Sequence, residues 1–203
     1  MNDQMKLLIA TKNVGKLTEI SELLAGLPVE ACNLNAFPTV VEPEETGATF
    51  IENAVLKAHY YASQTGLWAL ADDSGLAVEA LNGAPGVLSA RYAGAEAGAR
   101  QRLEKLLEAL GDTENRRARF VCAMAVADES GDIKFTAEGF CSGIIAPQAG
   151  GKNGFGYDPI FIPDGFSATF GELPHEIKQR ISHRKRAIGK IIQQIRRFYD
   201  VRT

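Results

Sequence analysis

The chain has 203 residues, 45% of them hydrophobic and 23% charged, and it carries a formal net charge of −3 at pH 7. These values are ordinary for a globular protein, and the weakly acidic balance favours neither a nucleic-acid nor a membrane partner. The length predicts a single domain over residues 1–203, built of two lobes. No apolar run reaches the roughly 18 residues of a transmembrane helix, so a membrane span is not expected.

The cysteines and the N-terminus indicate the compartment. Cys32, Cys122 and Cys141 form no Cys-x-x-Cys pair and have no histidine at zinc-site spacing, which is typical of reduced thiols packed as small hydrophobes. Residues 1–6 lack the charged-then-apolar layout of a signal peptide. We therefore expect a cytoplasmic protein.

The chain opens with a predicted strand, turn and helix. Residues 6–10 are a short apolar run that predicts a buried strand, and a polar segment at 11–16 follows it. Leucine and isoleucine then recur at helical spacing, and Gly26 and Pro28 predict the end of this helix.

A second unit begins at a capping-box pattern. Thr49 and Glu52 have the spacing of a capping box, in which the side chain of each residue accepts a hydrogen bond from the backbone N–H of the other. They therefore predict the start of a helix. Gly66 predicts the end of that helix. Residues 67–71 are a second apolar run, which predicts a strand that stops at Asp72.

The second half of the chain mixes strands and helices. The predicted elements are, in order, a helix over 97–110, strands over 119–127 and 133–141 joined by a turn at 129–132, a short strand over 159–162 and a helix over 182–198. The two strands around the turn predict an antiparallel hairpin. Together, the elements predict an α/β fold with a mixed central sheet and flanking helices.

The polar segment after the first strand predicts phosphate binding. A loop that leads from a strand into a helix offers backbone N–H groups and the positive end of the helix dipole to an anion. Ala10 and Leu17 stand where a Walker A loop has its first glycine and its magnesium-binding hydroxyl, so a P-loop NTPase is excluded. The competing interpretation is a solvated basic turn. The residues assigned to phosphate binding are Thr11, Lys12, Asn13, Val14, Gly15 and Lys16.

The tetrad Asp72-Asp73-Ser74-Gly75 is the candidate chemical centre. Adjacent acids after an apolar strand lie where open α/β sheets bind their ligands. Carboxylates at such a place suit Mg²⁺, and one of them could accept a proton from an attacking water. The competing interpretation is an Asx-type turn, because Asp, Ser and Gly all favour turns.

An acidic segment and the helix after it add candidate partners for the tetrad. Glu44 and Glu45 precede the capped helix, and either could complete a metal site with Asp73. Asn53 and Lys57 are four residues apart, which places them on one face of that helix. A solvent-facing acidic loop is the competing interpretation.

Segment 150–159 contains more glycine than a simple turn needs. Glycine permits a ligand to approach the backbone closely, and Phe155 or Tyr157 could stack on a nucleotide base. A flexible linker is the competing interpretation, which the aromatic residues within the segment disfavour.

The last candidate lies at the start of the C-terminal helix. Ser182 is in the position of an N-cap, and His183 and Arg184 follow it, where they could contact a purine edge or a phosphate. Lys178 lies just upstream. The competing interpretation is a capped helix with a solvated basic start.

Six segments occur in one order along essentially the whole chain. They are Thr11-x-Asn13-x-x-Lys16, Glu44-Glu45-Thr46-Gly47 with the capped helix through Lys57-Ala58, Asp72-Asp73-Ser74-Gly75-Leu76, Gly83-Ala84-Pro85-Gly86 with Ser89-Ala90-Arg91-Tyr92, Gly154-Phe155-Gly156-Tyr157-Asp158-Pro159-Ile160-Phe161, and Ile181-Ser182-His183-Arg184. This ordered set resembles the inosine triphosphate pyrophosphatases, house-cleaning enzymes that act on ITP, dITP and XTP.

The resemblance implies two lobes with the nucleotide in a cleft between them, a homodimer, and Mg²⁺-dependent hydrolysis of a nucleoside triphosphate to the monophosphate and pyrophosphate. It implies that Asp73 is the general base and a metal ligand, with Glu44 as the second metal ligand. Phe155 would stack on the base, and His183 with Arg184 would read its 6-oxo edge. The residues implied for substrate contact, beyond the 11–16 loop, are Ser74, Phe155, Gly156, Tyr157, Asp158, Lys178, His183 and Arg184.

Three positions depart from the pattern of the resembled family. Lys12, Gln179 and Lys185 stand where a small residue, Asn and Gly are frequent, which bears on fine contacts and not on the reaction class. Two other functions stay open: a non-catalytic purine-nucleotide sensor, and a pyrophosphatase for modified pyrimidine or 7-methylated nucleotides. The acidic tetrad argues against the sensor, and segment 181–184 argues against the second alternative.

Overall fold

The computed structural model describes residues 5–27 and 29–200. Over these residues, six strands form one sheet in the order β2-β1-β3-β4-β5-β6. The strands are β1 (Met5–Ile9), β2 (Val29–Asn33), β3 (Trp68–Val78), β4 (Arg117–Ala127), β5 (Ile133–Ile145) and β6 (Phe161–Pro163). The helices are α1 (Val14–Leu24), α2 (Phe50–Thr65), α3 (Ala99–Leu110), α4 (His175–Ile181) and α5 (His183–Asp200).

The sheet is mixed, as the alternation of elements predicts. Strand β1 pairs in parallel with both β2 and β3, whereas β5 pairs antiparallel with β6. Neighbouring strands β4 and β5 are joined by a tight turn, in which the N–H of Gly131 donates to the carbonyl of Asp128 at 2.8 Å. This connection is the predicted hairpin, because so short a turn joins adjacent strands only when they run antiparallel.

Helix α2 begins and ends where the capping signals predict. The backbone N–H of Glu52 donates to the Thr49 hydroxyl at 3.3 Å, and the N–H of Thr49 donates to the Glu52 carboxylate at 3.2 Å. Gly66 ends the helix in the left-handed region, with φ of 65°. The predicted stop of α1 at Gly26 is also correct, since Ala25 is its C-cap, but Pro28 lies outside the described residues.

Strand β3 is longer than predicted, and this is the main correction to the fold. The strand does not stop at Asp72: it runs through the whole acidic tetrad to Val78. Leu76 and Val78 are fully buried beyond the tetrad and continue the alternation of a strand. The apolar pattern predicts a strand end at the two acids, because the pattern alone does not show that Asp72 and Asp73 each pair with cations inside the fold.

Strand β2 was not predicted at all. Its residues, Val29–Asn33, are exposed or half-buried, and it lies at the edge of the sheet. A strand of this kind carries no apolar run or clean alternation, so only its parallel pairing with β1 defines it.

The chain divides into two compact units. Unit 1 consists of the described residues within Met1–Asp73, Cys122–Gly139 and Arg184–Thr203, and unit 2 consists of Ser74–Val121 and Phe140–His183.

In unit 1, the period-two alternation of the strands separates two apolar layers. Leu7 and Ile9 of β1 pack in a cluster with α1 and α5, whereas Leu8 packs in a second cluster with α2. The layer between the sheet and α2 is rich in small residues, since Ala54 and Ala58 of the helix lie in one cluster with alanines of β4. Unit 2 has a separate core, in which α3 packs with β6 and with the ends of the longer strands. Among the described helices, none combines the length and the apolar character needed to cross a bilayer.

Alanine at Gly75 should destabilise the protein, because its Cβ would lie 2.6 Å from the carbonyl oxygen of Gly86. Overpacking of this kind typically costs about 1–3 kcal/mol, which urea and thermal unfolding would measure. Gly189→Ala is the matched control, since nothing outside the helix backbone lies within 4 Å of its added methyl and alanine has the better helix propensity by about 1 kcal/mol. Equal stability of the two variants would contradict this close approach.

Candidate active site

The two adjacent acids of the tetrad lie on opposite faces of the sheet. Consecutive side chains of a strand point to opposite sides, and Asp72 follows Leu70 by two residues whereas Asp73 follows Ala71. Leu70 belongs to the layer that packs with α1 and α5, and Ala71 belongs to the layer that packs with α2. The sequence predicts one chemical centre that contains both acids, but strand geometry gives each carboxylate different ion-pair partners.

Asp73 lies in a buried polar cluster with residues of α2. Its carboxylate accepts hydrogen bonds from the amide of Asn53 and from the ammonium of Lys57, each at 3.2 Å. The same ammonium donates to Glu45 at 2.8 Å, and Asn53 in turn accepts from the backbone N–H of Gly47 at 2.7 Å. The sequence prediction that Asn53 and Lys57 share one face of their helix is therefore confirmed, and both meet the carboxylate.

Burial and charge together set the protonation equilibria of this cluster. Burial raises the pKa of Asp73 above that of an ordinary aspartate, and the positive charges of Lys57 and Lys16 oppose the rise without cancelling it. Burial would lower the pKa of Lys57, but attraction to Asp73, Asp72 and Glu45 outweighs it and raises that pKa. The result is a carboxylate that takes up a proton more readily than an exposed aspartate, beside a firmly charged ammonium.

On the other face, Asp72 belongs to a network of four charges. Its carboxylate pairs with Lys16 of α1 at 3.0 Å and with Arg184 of α5 at 3.5 Å. Arg184 also pairs with Glu19 of α1 and is only 1% exposed. Two positive and two negative groups therefore offset one another in the interior, which limits the cost of burying them.

Glu19 was missed by sequence reasoning. It lies three residues after Lys16, so the two share one side of α1, and this spacing was the signal available. Only the structure shows that Arg184, from the far end of the chain, lies against the same side.

The predicted phosphate loop forms the N-terminus of α1. Asn13 is the N-cap, and its side chain accepts from the backbone N–H of Lys16 at 3.1 Å, while Thr11 accepts from the N–H of Asn13 at 3.2 Å. Lys12 forms a loose, exposed ion pair with Glu42 at 3.8 Å. The segment is thus a capped helix start, which keeps the dipole and backbone donors of an anion site.

The two candidate metal-binding glutamates of the acidic segment before α2 have different surroundings. Glu45 is held by Lys57 and so is linked to Asp73, whereas Glu44 is exposed. Among the described residues, no group of three His, Cys, Asp or Glu side chains is arranged to hold a metal ion.

Unit 2 contains the second set of predicted residues, arranged around Asp158. The Asp158 carboxylate accepts from the backbone N–H of Phe155 at 2.7 Å and from the ammonium of Lys178 at 2.6 Å. That ammonium also lies 4.4 Å from the centre of the Phe155 ring. Both charged groups are buried, so Asp158 folds the loop and holds Lys178 against the aromatic ring.

The glycine-rich segment is an ordered loop and not a flexible linker. The N–H of Gly150 donates to the carbonyl of Pro159 at 2.8 Å, and the N–H of Asn153 donates to Gly171 at 2.9 Å. The two aromatic candidates separate clearly: Phe155 is half-buried, whereas Tyr157 is buried and donates its hydroxyl to a backbone carbonyl. Phe155 is therefore the ring with a surface left for a base.

Ser74 and His183, two further residues predicted to contact substrate, both belong to unit 2. Ser74 is half-buried and begins unit 2 directly after Asp73. His183 ends the second part of unit 2 and stacks on Phe120, with ring centres 4.7 Å apart. Ser182 precedes α5 with extended backbone, as an N-cap residue does.

His59 also has a partner that the sequence did not identify. Its Nδ1 lies 2.8 Å from the carbonyl oxygen of Gly131, so it links α2 to the β4–β5 turn. This contact belongs to the scaffold of unit 1.

The fold and these contacts define a mixed α/β protein with a buried cluster of acids and an ammonium on a central strand, a capped helix start after β1 and an aromatic loop whose Phe155 ring lies against a lysine. The model of the Ham1 family matches residues 7–194, and the chain belongs to this family. A dITP/XTP pyrophosphatase from Synechocystis is 47% identical over 188 residues, covering 93% of this chain and 94% of that protein. One from Bacillus cereus is 45% identical over 198 residues, covering 96% and 97%.

Solved structures agree with the fold. A HAM1 protein from Coxiella burnetii superposes with a TM-score of 0.87 at 43% identity, covering 95% of this chain and 99% of that one. The family expected from the ordered segments and the mixed α/β fold are thereby confirmed.

Replacing Lys57 with Gln should raise the pKa of Asp73 further, because the variant removes a positive charge that now opposes the effect of burial. With the raised pKa, the folded variant holds its proton to a higher pH than the unfolded chain does. The stability lost relative to the parent should therefore grow as pH rises through that range. Carbon-13 NMR of the aspartate carboxyls measures the pKa, and urea unfolding at low and high pH measures the stability.

The matched control is Lys134→Gln, since Lys134 pairs with Asp128 and Asp132 in the β4–β5 turn. Its loss should leave Asp73 unchanged. An unchanged or lower pKa of Asp73 in Lys57→Gln would show that Lys57 does not act on this carboxyl.

Proposed function

We propose that this protein hydrolyses the non-standard purine nucleoside triphosphates ITP, dITP and XTP to the nucleoside monophosphate and pyrophosphate, and so removes them from the nucleotide pool. The observation that carries the proposal is the buried Asp73, held by Asn53 and Lys57 and given a raised pKa, in a chain of the Ham1 family. Relatives that cover nearly the whole chain are named dITP/XTP pyrophosphatases, which supports this substrate class.

In the proposed reaction, Asp73 is the general base. It accepts a proton from a water whose oxygen forms a bond to the α-phosphorus, while the bond from that phosphorus to the bridging oxygen breaks and pyrophosphate leaves. A base works best when its pKa approaches the working pH, and burial moves Asp73 in that direction. Asn53 and Lys57 would keep the carboxylate in one orientation throughout.

The acidic residues suit a magnesium ion. Mg²⁺ prefers oxygen ligands and usually takes one or two carboxylates, with waters and substrate phosphates filling the other positions. Asp73 and Glu45 already approach one cation, the Lys57 ammonium, to 3.2 and 2.8 Å. We assign Asp73 and Glu44 as the metal ligands, as the ordered sequence segments imply, and the exposed Glu44 is the glutamate that does not pair with Lys57. The ion would neutralise phosphate charge next to the base.

Substrate contacts follow from the two other parts of the site. The N-terminus of α1, with Thr11 to Lys16, would hold the phosphates through its backbone donors and lysines. Phe155 would stack on the purine, and the Lys178 ammonium lies over the Phe155 ring. Ser74 and the backbone of Gly156, Tyr157 and Asp158 would complete the contacts, because the Tyr157 hydroxyl already donates to the Ser89 carbonyl and the Asp158 carboxylate already pairs with Lys178. His183 and Arg184 would read the 6-oxo edge.

Buried hydrogen-bond donors would make this site selective for a 6-oxo purine. A donor that bonds the O6 of ITP faces the amino group of ATP instead, and two donors cannot bond each other. Each buried polar group left unpaired costs roughly 1–3 kcal/mol, so a few contacts reject ATP strongly. His183 and Arg184 are both buried, which makes such an error costly.

We further propose that residues 1–203 act as one pyrophosphatase domain, that two copies form a homodimer, and that the protein works in the cytoplasm. The match to the family over residues 7–194 supports the single domain and the homodimer, and the cysteine pattern supports the cytoplasm.

Incubation of the protein with Mg²⁺ and ITP or XTP should yield the nucleoside monophosphate and pyrophosphate, with ATP cleaved far more slowly. Ion-exchange HPLC with a pyrophosphate assay separates these products. A diphosphate with orthophosphate would contradict the reaction. Tight ITP binding without turnover would favour a nucleotide sensor, and preference for a modified pyrimidine or 7-methylated nucleotide in the same panel would replace the substrate class.

Asp73→Asn should lower kcat for ITP by about 10²- to 10⁴-fold, the usual contribution of a general base, while the protein still folds. Circular dichroism and thermal unfolding establish the fold of the variant. Asp164→Asn is the matched control, because the Asp164 carboxylate forms an exposed ion pair with Arg117 within unit 2, and the turnover of this variant should equal that of the parent. Near-parental turnover in Asp73→Asn would remove Asp73 from the role of base.

A further inference from the structure

Ser89 makes an unusually complete set of contacts for a residue without an assigned role. It lies in the short 3-10 helix Gly86–Arg91 of unit 2 and is 6% exposed. Its hydroxyl accepts from the backbone N–H of Leu76 at 2.9 Å and donates to the carbonyl of Gly86 at 2.6 Å. The hydroxyl therefore both accepts and donates inside the protein, which fixes its orientation.

These contacts place Ser89 directly on strand β3. A Cβ at Gly75 would collide with the Ser89 hydroxyl and with the Gly86 carbonyl, so the absence of a side chain at Gly75 is what permits the approach. The loop is tied to the strand a second time, where the N–H of Gly83 donates to the carbonyl of Val78 at 2.9 Å. The segment of β3 that follows Ser74 is therefore held from outside the sheet ladder.

The backbone of Ser89 makes a separate contact with the aromatic loop. Its carbonyl oxygen accepts the hydroxyl of Tyr157 at 2.9 Å, and Tyr157 is buried between Gly156 and Asp158 in the loop that presents Phe155. One residue thus holds β3 beside Ser74 through its side chain and holds the Phe155–Asp158 loop through its main chain. All of these groups belong to unit 2.

We infer that Ser89 is a positioning residue for substrate binding: its hydroxyl and its carbonyl together set the placement of Ser74 relative to the loop that carries Phe155. The inference rests on the proposed function, in which Ser74 and Phe155 both contact the nucleotide. Ser89 itself touches neither the reacting phosphorus nor the base. It acts through Leu76 and Tyr157.

A positioning role and a purely structural role of Ser89 differ in their expected effects on KM and kcat. Contacts made equally to substrate and transition state change KM and leave kcat nearly constant. Displacement of Ser74 and Phe155 relative to each other should weaken such contacts, and it should weaken binding of the product IMP in parallel. General loss of stability would instead lower the fraction of folded protein without changing the affinity of the folded part.

Three variants test the inference: Ser89→Ala, Tyr157→Phe and the double variant. Steady-state kinetics with ITP and calorimetric titration with IMP give KM, kcat and Kd. Ser89→Ala should raise KM and the IMP Kd by about tenfold, the effect of one buried hydrogen bond, with a small change in kcat. Tyr157→Phe should act in the same direction, and the double variant should fall short of the product of the two effects because both act through Ser89.

Thr65→Val is the matched control, since the Thr65 hydroxyl also donates to a backbone carbonyl, that of Tyr61, at 2.7 Å, near the end of α2. It should leave KM, kcat and the IMP Kd at parental values. If Ser89→Ala does not fold, Tyr157→Phe carries the test, because it removes only one hydroxyl.

Parental KM and IMP Kd in Ser89→Ala, or in Tyr157→Phe where that variant carries the test, would overturn the role of Ser89. So would independent, fully multiplicative effects in the double variant. If the parent protein binds IMP and cleaves ITP, and the variants have the same KM and IMP Kd, only the inference about Ser89 is refuted. A parent protein that does neither refutes the proposed function and the inference with it.

Discussion

Two adjacent carboxylates in the interior of strand β3 impose a requirement on the rest of unit 1. A strand sends Asp72 and Asp73 to opposite faces, so each carboxylate forms its ion pairs with different cations among the described residues. Helices α1 and α5 supply Lys16 and Arg184 to one face, and α2 supplies Lys57 to the other. Removing one partner of a buried ion pair commonly costs about 3–5 kcal/mol, so these pairings restrict how the three helices are placed on the sheet.

Among the described residues, the two carboxylates differ in the side chains that pair with them. Asp72 pairs with Lys16 and Arg184, and Arg184 also pairs with Glu19, so two cations and two anions lie together on this face. Asp73 has an amide and one ammonium, and that ammonium is shared with Glu45. Burial raises the pKa of Asp73 and its cations do not fully reverse the effect, which supports the proposed role of this carboxylate in proton transfer.

Unit 2 uses the same principle to shape a binding loop. Asp158 is buried and acts within the protein: it holds the backbone of Phe155 and the ammonium of Lys178. Tyr157, which from its sequence position could equally have been a stacking residue, is instead turned inward to the carbonyl of Ser89. A few buried polar contacts thereby order a loop rich in glycine, and Phe155 stays half-buried.

The family, the mixed α/β class, the capped start of α2 and the shared face of Asn53 and Lys57 could all be predicted from the amino-acid sequence, because they depend on local spacing and on motifs in a fixed order. The sequence could not determine that β3 passes through the tetrad, since a charged residue ends an apolar pattern whether or not a distant cation pairs with it. Nor could it show that Arg184 meets Glu19, or that Ser89 joins Leu76 to Tyr157. These contacts link residues far apart in the chain, and only the packing of helices and loops on the sheet brings their charges and hydroxyl groups within bonding distance.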